Sequence, residues 1–189
     1  FTGTAAENYE CCFVPAIATP VSVDLLRTAD LQPGEHVLDV ACGTGLIARL
    51  AAEQVAPTGS VTGVDIAPEM IAVARTIATP DGRPIEWYVG DATSLSLPDD
   101  SCDVALCQMG LMFMDDRASA VAEMHRLLAP GGRLVVNTPG PIHPAFELME
   151  KAIVDHISPE LAGFVRAVFS MHDPNTVADL LRTAGLRDV

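Results

Sequence analysis

The stretch Val37-Leu38-Asp39-Val40-Ala41-Cys42-Gly43-Thr44-Gly45-Leu46-Ile47-Ala48 decides how the rest of the chain is read. Val37 to Val40 has the character of a buried strand, Gly43 and Gly45 make a turn, and Leu46 opens a helix. A strand that enters a helix through such a turn leaves backbone N–H groups without partners at the helix N-terminus. Glycine at the turn lets a ligand come close to the backbone. In open α/β sheets this geometry lies at the carboxyl ends of the strands, where nucleotide-like molecules bind.

Outward from this stretch the chain alternates strand and helix. Strand signals fall at His36–Val40, Ser60–Asp65, Pro84–Val89, Cys102–Cys107 and Gly132–Thr138. Helical stretches fall at Leu46–Val55, Pro68–Thr79 and Arg117–Leu128. Breaker clusters at Pro57–Gly59, Pro80–Gly82 and Pro130–Gly132 separate them. The alternation predicts an α/β fold, a doubly wound and mainly parallel sheet with helices on both faces. Before the first strand, Tyr9 and Phe13 stand at helical spacing in a leader, and Pro20 opens a helix Val21–Ala29. After the last strand a Pro/Gly loop, Pro139–Pro144, leads to apolar helices His143–His156 and Pro159–Phe169. A further helix, Asp173–Ala184, is capped by Gly185, and Leu186–Val189 reads as the start of a sixth strand.

Composition narrows the function classes. The 189 residues suffice for one domain with a real core, and 49% apolar content argues against disorder. Eleven basic against 25 acidic residues give a net charge of −14, with one lysine, Lys151, so nucleic acid and anionic membrane are poor partners. No apolar run approaches the roughly 20 residues that span a bilayer, and no signal peptide is visible. Five cysteines lack metal spacing, and the odd count fits a reducing, cytoplasmic setting. Adjacent Cys11 and Cys12 read as a redox pair or, more simply, as two small hydrophobes.

The glycine turn fits two cofactors. Gly43-x-Gly45-x-x-Ala48, with Asp65 about 20 residues further on, matches the dinucleotide fingerprint. Asp39 argues against it, because a carboxylate at the mouth of the turn repels a pyrophosphate by an amount on the order of 1 to 4 kcal/mol. S-adenosylmethionine carries a sulfonium and an α-ammonium and no phosphate, which suits Asp39. Asp65 closes the second strand, where a carboxylate accepts from ribose hydroxyls. Asp91 closes the third, where it either accepts from an adenine amine beside Ala92 or simply caps a turn. Three acids closing successive strands at one sheet edge favour the ligand reading.

The motifs D-V-A-C-G-T-G, G-V-D-I-A-P-E-M, G-D-A-T-S-L-S-L-P-D-D-S-C-D-V-A and L-L-A-P-G-G-R-L-V-V resemble, in order, those of class I S-adenosylmethionine-dependent methyltransferases, in the small-molecule branch of the ubiquinone and menaquinone biosynthesis enzymes. The match covers Leu31 to Thr138. The resemblance implies a Rossmann-like sheet of order 3-2-1-4-5 and methyl transfer by in-line displacement, with no metal. It implies that Asp39 and the backbone of Ala41, Cys42, Gly43 and Gly45 hold the methionine end. Asp65 would hold the ribose, Ile66 and Met70 would pack on adenine, and Asp91 and Ala92 would bind its edge. Gln108 would lie where the methionine end meets substrate.

Other assignments are looser. His143 is the candidate base if the acceptor must lose a proton; His36, His125, His156 and His172 are weaker. Met109, Met112, Phe113 and Met114 form either a substrate wall or core. The chain divides into N-terminal helices over the cofactor (1–30, with Tyr9 and Phe13), a cofactor-binding core (31–138), a substrate lid (139–172) and a C-terminal part (173–189). The family sheet ends in an antiparallel hairpin that this chain does not reach, so the expectation is a shortened chain. Its fifth strand would carry an open edge that pairs in a homodimer. The competing functions are an NAD-dependent oxidoreductase and a non-catalytic cofactor-binding remnant.

Overall fold

A computed structural model describes residues 4–79 and 82–189. Pro80 and Asp81, within the expected Pro80–Gly82 turn, and the first three residues of the leader lie outside the described residues. Five strands, β1 (His36–Val40), β2 (Ser60–Asp65), β3 (Glu86–Val89), β4 (Cys102–Gln108) and β5 (Leu128–Asn137), form one parallel sheet of order β3-β2-β1-β4-β5. This is the expected doubly wound order. The connecting helices are α3 (Leu46–Gln54), α4 (Pro68–Thr76) and α5 (Arg117–Leu127).

β1 lies at the centre, paired to β2 and β4, and its residues from Val37 onward are all buried. Side chains alternate across a strand, so successive residues serve opposite faces. Val37, Val61, Val104 and Leu106 pack with α3 and with α2 (Thr19–Ala29). Leu38, Val40, Val64, Ala105 and Cys107 pack with α5 and with α8 (Pro174–Thr183). Asp39 shares the parity of Val37, so the alternation turns its carboxylate toward α3.

The sequence-based boundaries shift where local chemistry competes. β3 starts at Glu86, because Pro84 has no N–H for the ladder. β5 starts at Leu128, the last residue of the expected helix, and runs through the expected Pro130–Gly132 turn. The register with β4 jumps from Cys102↔Leu128 to Val104↔Arg133, so the Pro-Gly-Gly sequence is a bulge within the strand. Leu186–Val189 is not a strand. Leu186 folds onto the α5–α8 core, Asp188 takes φ 55°, and the Val189 carbonyl accepts from Arg182 at 2.7 Å.

The N-terminal region is one unbroken helix rather than a leader and a helix. α1 (Ala5–Asn8) opens with a Thr4/Glu7 capping box, Tyr9–Ala18 is π-helical, and α2 continues to Ala29. Pro15 removes a donor inside the π-helical part, and a widened ladder accommodates the loss. By length and composition Ala5–Ala29 is apolar enough to cross a membrane, contrary to the expectation from the sequence. Here it buries Ala6, Val14, Ala18, Leu25, Leu26 and Ala29, and α2 lies on the face of α3, β4 and β5.

Arg133 fastens that helix to the sheet. Its guanidinium meets Glu35 at 2.6 and 2.9 Å and donates to the Ala29 and Asp30 carbonyls, at the end of α2. This satisfies carbonyls that a helix terminus otherwise leaves unpaired. The bond from Arg133 holds the Glu35 carboxyl below its usual range. Its contribution is therefore present above the unfolded value of about 4.3 and is lost as pH falls through the lowered folded value. Arg133→Met, which keeps the stem, is expected to cost about 1–2 kcal/mol after allowance for solvent screening. Urea denaturation at pH 7 and at pH 3 checks this: the difference from the parent should shrink at pH 3.

Beyond β5, α6 (Pro144–His156) and α7 (Pro159–Val168) form the expected helical pair. They are held together by Phe146 on Phe169, the residue after α7, with ring centroids 5.2 Å apart, and by Arg166 on Glu150 at 2.5 Å. α6 buries none of its residues, and Leu148 is 70% exposed.

Candidate cofactor site

The turn after β1 is built from residues in the left-handed region: Ala41 (φ 56°), Gly43 (55°) and Gly45 (86°). Cys42 N–H donates to the Val64 carbonyl at 3.0 Å, and Gly45 N–H to the Cys42 carbonyl at 2.9 Å. Gly45 is the N-cap of α3 and has no side chain with which to cap it. Asp39 supplies the missing acceptor: its Oδ2 takes the Ala48 N–H at 3.0 Å. A carboxylate at a helix N-terminus also suits the helix dipole.

Asp65, at the end of β2, accepts the Gly43 N–H at 2.7 Å and the Ala67 N–H at 2.9 Å. Both acids at the turn therefore already hold backbone donors. Asp39 is 1% exposed, and burial pushes its pKa up to about 8, against the pull of the Ala48 N–H and the nearby Arg49. Burial therefore pushes Asp39 toward its neutral form, even with Arg49 nearby.

A small cavity of about 20 Å³, room for roughly one water, lies at this turn. Of the expected site residues, Tyr9, Asp39, Ala41, Cys42 and Gln108 line it, joined by Ala18, Thr44, Leu46 and Ile47. Tyr9 roofs it: a Cβ placed on Gly43 would lie 3.5 Å from the Tyr9 ring. Tyr9 stacks on Phe13 with centroids 4.8 Å apart, as their spacing suggested. Burial, then Asp65 and Asp39, raise the Tyr9 hydroxyl to about 12. Glu10 reaches Arg49 at 3.4 Å, and Arg49 donates to the Thr44 carbonyl at 2.6 Å, so the π-helical segment is tied to the turn itself.

Three buried polar atoms in this region have no partner among the described residues: Thr44 Oγ1, Gln108 Oε1 and Glu10 Oε2. Thr44 and Gln108 both line the cavity. Buried polar atoms are normally satisfied, so orphans on a common cavity mark a place for a polar ligand. Gln108 Nε2 is used, donating to the Ala18 carbonyl at 3.3 Å.

The other expected residues sit along the same strand ends but outside this cavity. Ile66 is 68% exposed beside Asp65, and Met70 is half-buried on α4. Asp91 Oδ1 accepts from the backbone and hydroxyl of Thr93 at 2.9 and 2.8 Å, a turn-capping role that holds its pKa low. Ala92 is half-buried next to it. His143 is the exposed N-cap of α6, with Nδ1 accepting the Ala145 N–H at 3.2 Å. Among the four residues after β4 the outcome divides. Met112 is buried, whereas Phe113 is 50% exposed and stacks on Phe164 at 5.7 Å.

Sequence reasoning missed Trp87, Arg49 and Thr44. Trp87 fills a slot that Gly45 and Gly63 leave open: Cβ atoms there would lie 2.3 and 2.4 Å from its ring. Gly63 in mid-strand was the available signal, since such a glycine marks close approach of another group. Gly45 thus also makes room for the Trp87 ring.

The domain description that fits this arrangement is explicit: residues 38–136 match the model of the methyltransferase domain. The chain belongs to that family. The chain is similar to nocamycin O-methyltransferase of Saccharothrix syringae, 34% identical over 90% of this chain and 65% of that protein. It is similar to demethylmenaquinone methyltransferase of Thermus thermophilus, 36% identical over 77% of this chain and 68% of that protein. The crystal structure of the YcgJ protein of Bacillus subtilis superposes with a TM-score of 0.58 at 29% identity, covering 71% of this chain and 58% of that one. The chain spans about two thirds of the length of the curated relatives it matches. The cofactor of this methyltransferase family is S-adenosylmethionine. The dinucleotide reading finds no support. The residues fit the cationic cofactor: a buried carboxyl and two residues with orphaned polar oxygens, Thr44 and Gln108, line one cavity.

Proposed function

We propose that this methyltransferase chain moves a methyl group from S-adenosylmethionine to a small, largely apolar acceptor. The observation that carries the reading is that Asp39 and two residues with orphaned buried oxygens, Thr44 and Gln108, line the small cavity after β1. S-adenosylmethionine supplies an electrophilic methyl on a sulfonium with a neutral leaving group, so the protein's task is alignment. Asp39 would ionise against the α-ammonium, and the backbone from Ala41 to Gly45 would hold the carboxylate end. Asp65 would exchange its backbone donors for the ribose, Ile66 and Met70 would sandwich adenine, and Asp91 with Ala92 would meet its edge. Gln108 would stand between the methionine end and the acceptor.

For the acceptor we propose the cleft of about 500 Å³ between the 3₁₀ turn Leu111–Phe113 and α7. Met112, Phe113, Met114, Arg117 and Arg166 line it, a volume and lining that suit a small molecule. α6 and α7 then act as its lid. His143 is the candidate base for acceptors that must lose a proton, once Nδ1 releases the Ala145 N–H. The reading also includes a cytoplasmic setting and pairing of two copies through the outer edge of β5.

Two measurements bear on this. Incubation with methyl-labelled S-adenosylmethionine and a panel of quinols, phenols and β-dicarbonyl compounds should label at least one acceptor. Cofactor binding with no transfer to any acceptor, also in a chain extended to the length of its relatives, would favour the non-catalytic reading. Tyr9→Ala is expected to raise the association rate of S-adenosylhomocysteine several-fold, because the roof over Gly43 must move before a ligand of that size enters. Stopped-flow binding reads this directly; an unchanged rate would make the segment a packing element only.

A further inference from the structure

Cys11 and Cys12 are taken neither by the core nor by the cofactor site. Both are exposed, on the π-helical segment that carries Tyr9, so they are not the buried or semi-buried hydrophobes of the simpler expectation. Their sulfurs lie 3.2 Å apart, within hydrogen-bond distance. We propose that this pair is a bidentate binding site for a soft, three-coordinate ion such as a trivalent, monosubstituted arsenical.

Three points of geometry carry it. Two sulfurs on one helical segment are already at the separation of a chelate, so little rearrangement is needed on binding. Bonds of about 2.3 Å to one atom bridging sulfurs 3.2 Å apart enclose an angle of about 90°. That is the angle of a pyramidal three-coordinate centre. A tetrahedral ion such as zinc asks for about 109°, hence sulfurs about 3.7 Å apart. Thiolates are the ligands that soft ions select. A disulfide is disfavoured, because neighbouring Cα atoms across a trans peptide are about 3.8 Å apart, below the roughly 4.4 Å lower limit of disulfide geometry.

With phenylarsine oxide the step balances without oxidant or reductant. Two S–H bonds and the arsenic–oxygen bond break, two arsenic–sulfur bonds form, and one water leaves. Arsenic stays trivalent.

Intact-protein mass spectrometry of the reduced chain with one equivalent of phenylarsine oxide tests the proposal. The expected product is a single adduct, short by one water, that survives excess glutathione and is removed by a dithiol. Cys11→Ser and Cys12→Ser should each lose the glutathione-resistant adduct, whereas Cys42→Ser should keep it, and zinc should not compete at equimolar concentration. Circular dichroism of the two serine variants confirms that they are folded. An adduct stripped by glutathione, one that persists in either serine variant, displacement by zinc, or rapid air oxidation to a Cys11–Cys12 disulfide would each overturn it.

Discussion

Asp39→Asn will weaken S-adenosylhomocysteine binding by about 30- to 1,000-fold, roughly 2–4 kcal/mol, the range for deleting one partner of a buried charge pair. The same change will leave the ligand-free chain at least as stable at pH 8. Both halves come from one environment. Asp39 is buried, and neither the backbone N–H it holds nor the nearby Arg49 offsets that burial, so its pKa rises to about 8. Between the unfolded value of about 3.9 and the folded value the native chain holds a proton that the unfolded chain has lost. Stability from this group therefore falls as pH rises through that window. Asparagine keeps an oxygen for the Ala48 N–H and never ionises. Melting temperatures at pH 5 and pH 8 check the second half: the variant should gain on the parent as pH rises. Unchanged affinity would remove Asp39 from the cofactor site, and collapse of the variant at pH 8 would make it a structural ion.

Gly45→Ala is expected to be the most damaging single methyl that can be added to the turn. The position needs φ 86°, which costs an L-residue about 1–2 kcal/mol, and the new Cβ would lie 2.3 Å from the Trp87 ring. Overpacking adds about 1–3 kcal/mol, for a total of about 2–5. Gly63→Ala separates the two effects. Its Cβ would meet the same ring at 2.4 Å, but its backbone is an ordinary strand. Trp87→Leu should therefore rescue most of the loss in Gly63→Ala and only part of that in Gly45→Ala. A double-mutant cycle in urea reads the difference. Equal rescue would show that strain at Gly45 contributes little.

The central strands were legible because period and burial agreed: β1 and β2 begin and end where their apolar runs do. Asp39, Asp65 and Gln108 could be placed at strand ends from the same pattern. What Asp39 does in the absence of a ligand needed the parity of β1 and the bare N-cap at Gly45 together. The links from Trp87 to the two glycines and from Glu10 through Arg49 to Thr44 join distant parts of the chain, and no local spacing announces them. The bulge in β5 hid because Pro130-Gly131-Gly132 reads as a turn wherever it stands. The π-helical ladder around Pro15 is likewise set by packing on the turn rather than by propensity.

One measurement tests the account most directly: calorimetric titration of the chain with S-adenosylhomocysteine and, separately, with NAD, at several pH values from 6 to 8.5. The account predicts saturable one-to-one binding of S-adenosylhomocysteine and none of NAD. The affinity should climb as pH approaches about 8 and then level, because the ammonium must draw the proton off Asp39. Binding of NAD without S-adenosylhomocysteine would contradict the cofactor assignment, and a pH-independent affinity would contradict the role of Asp39 in it.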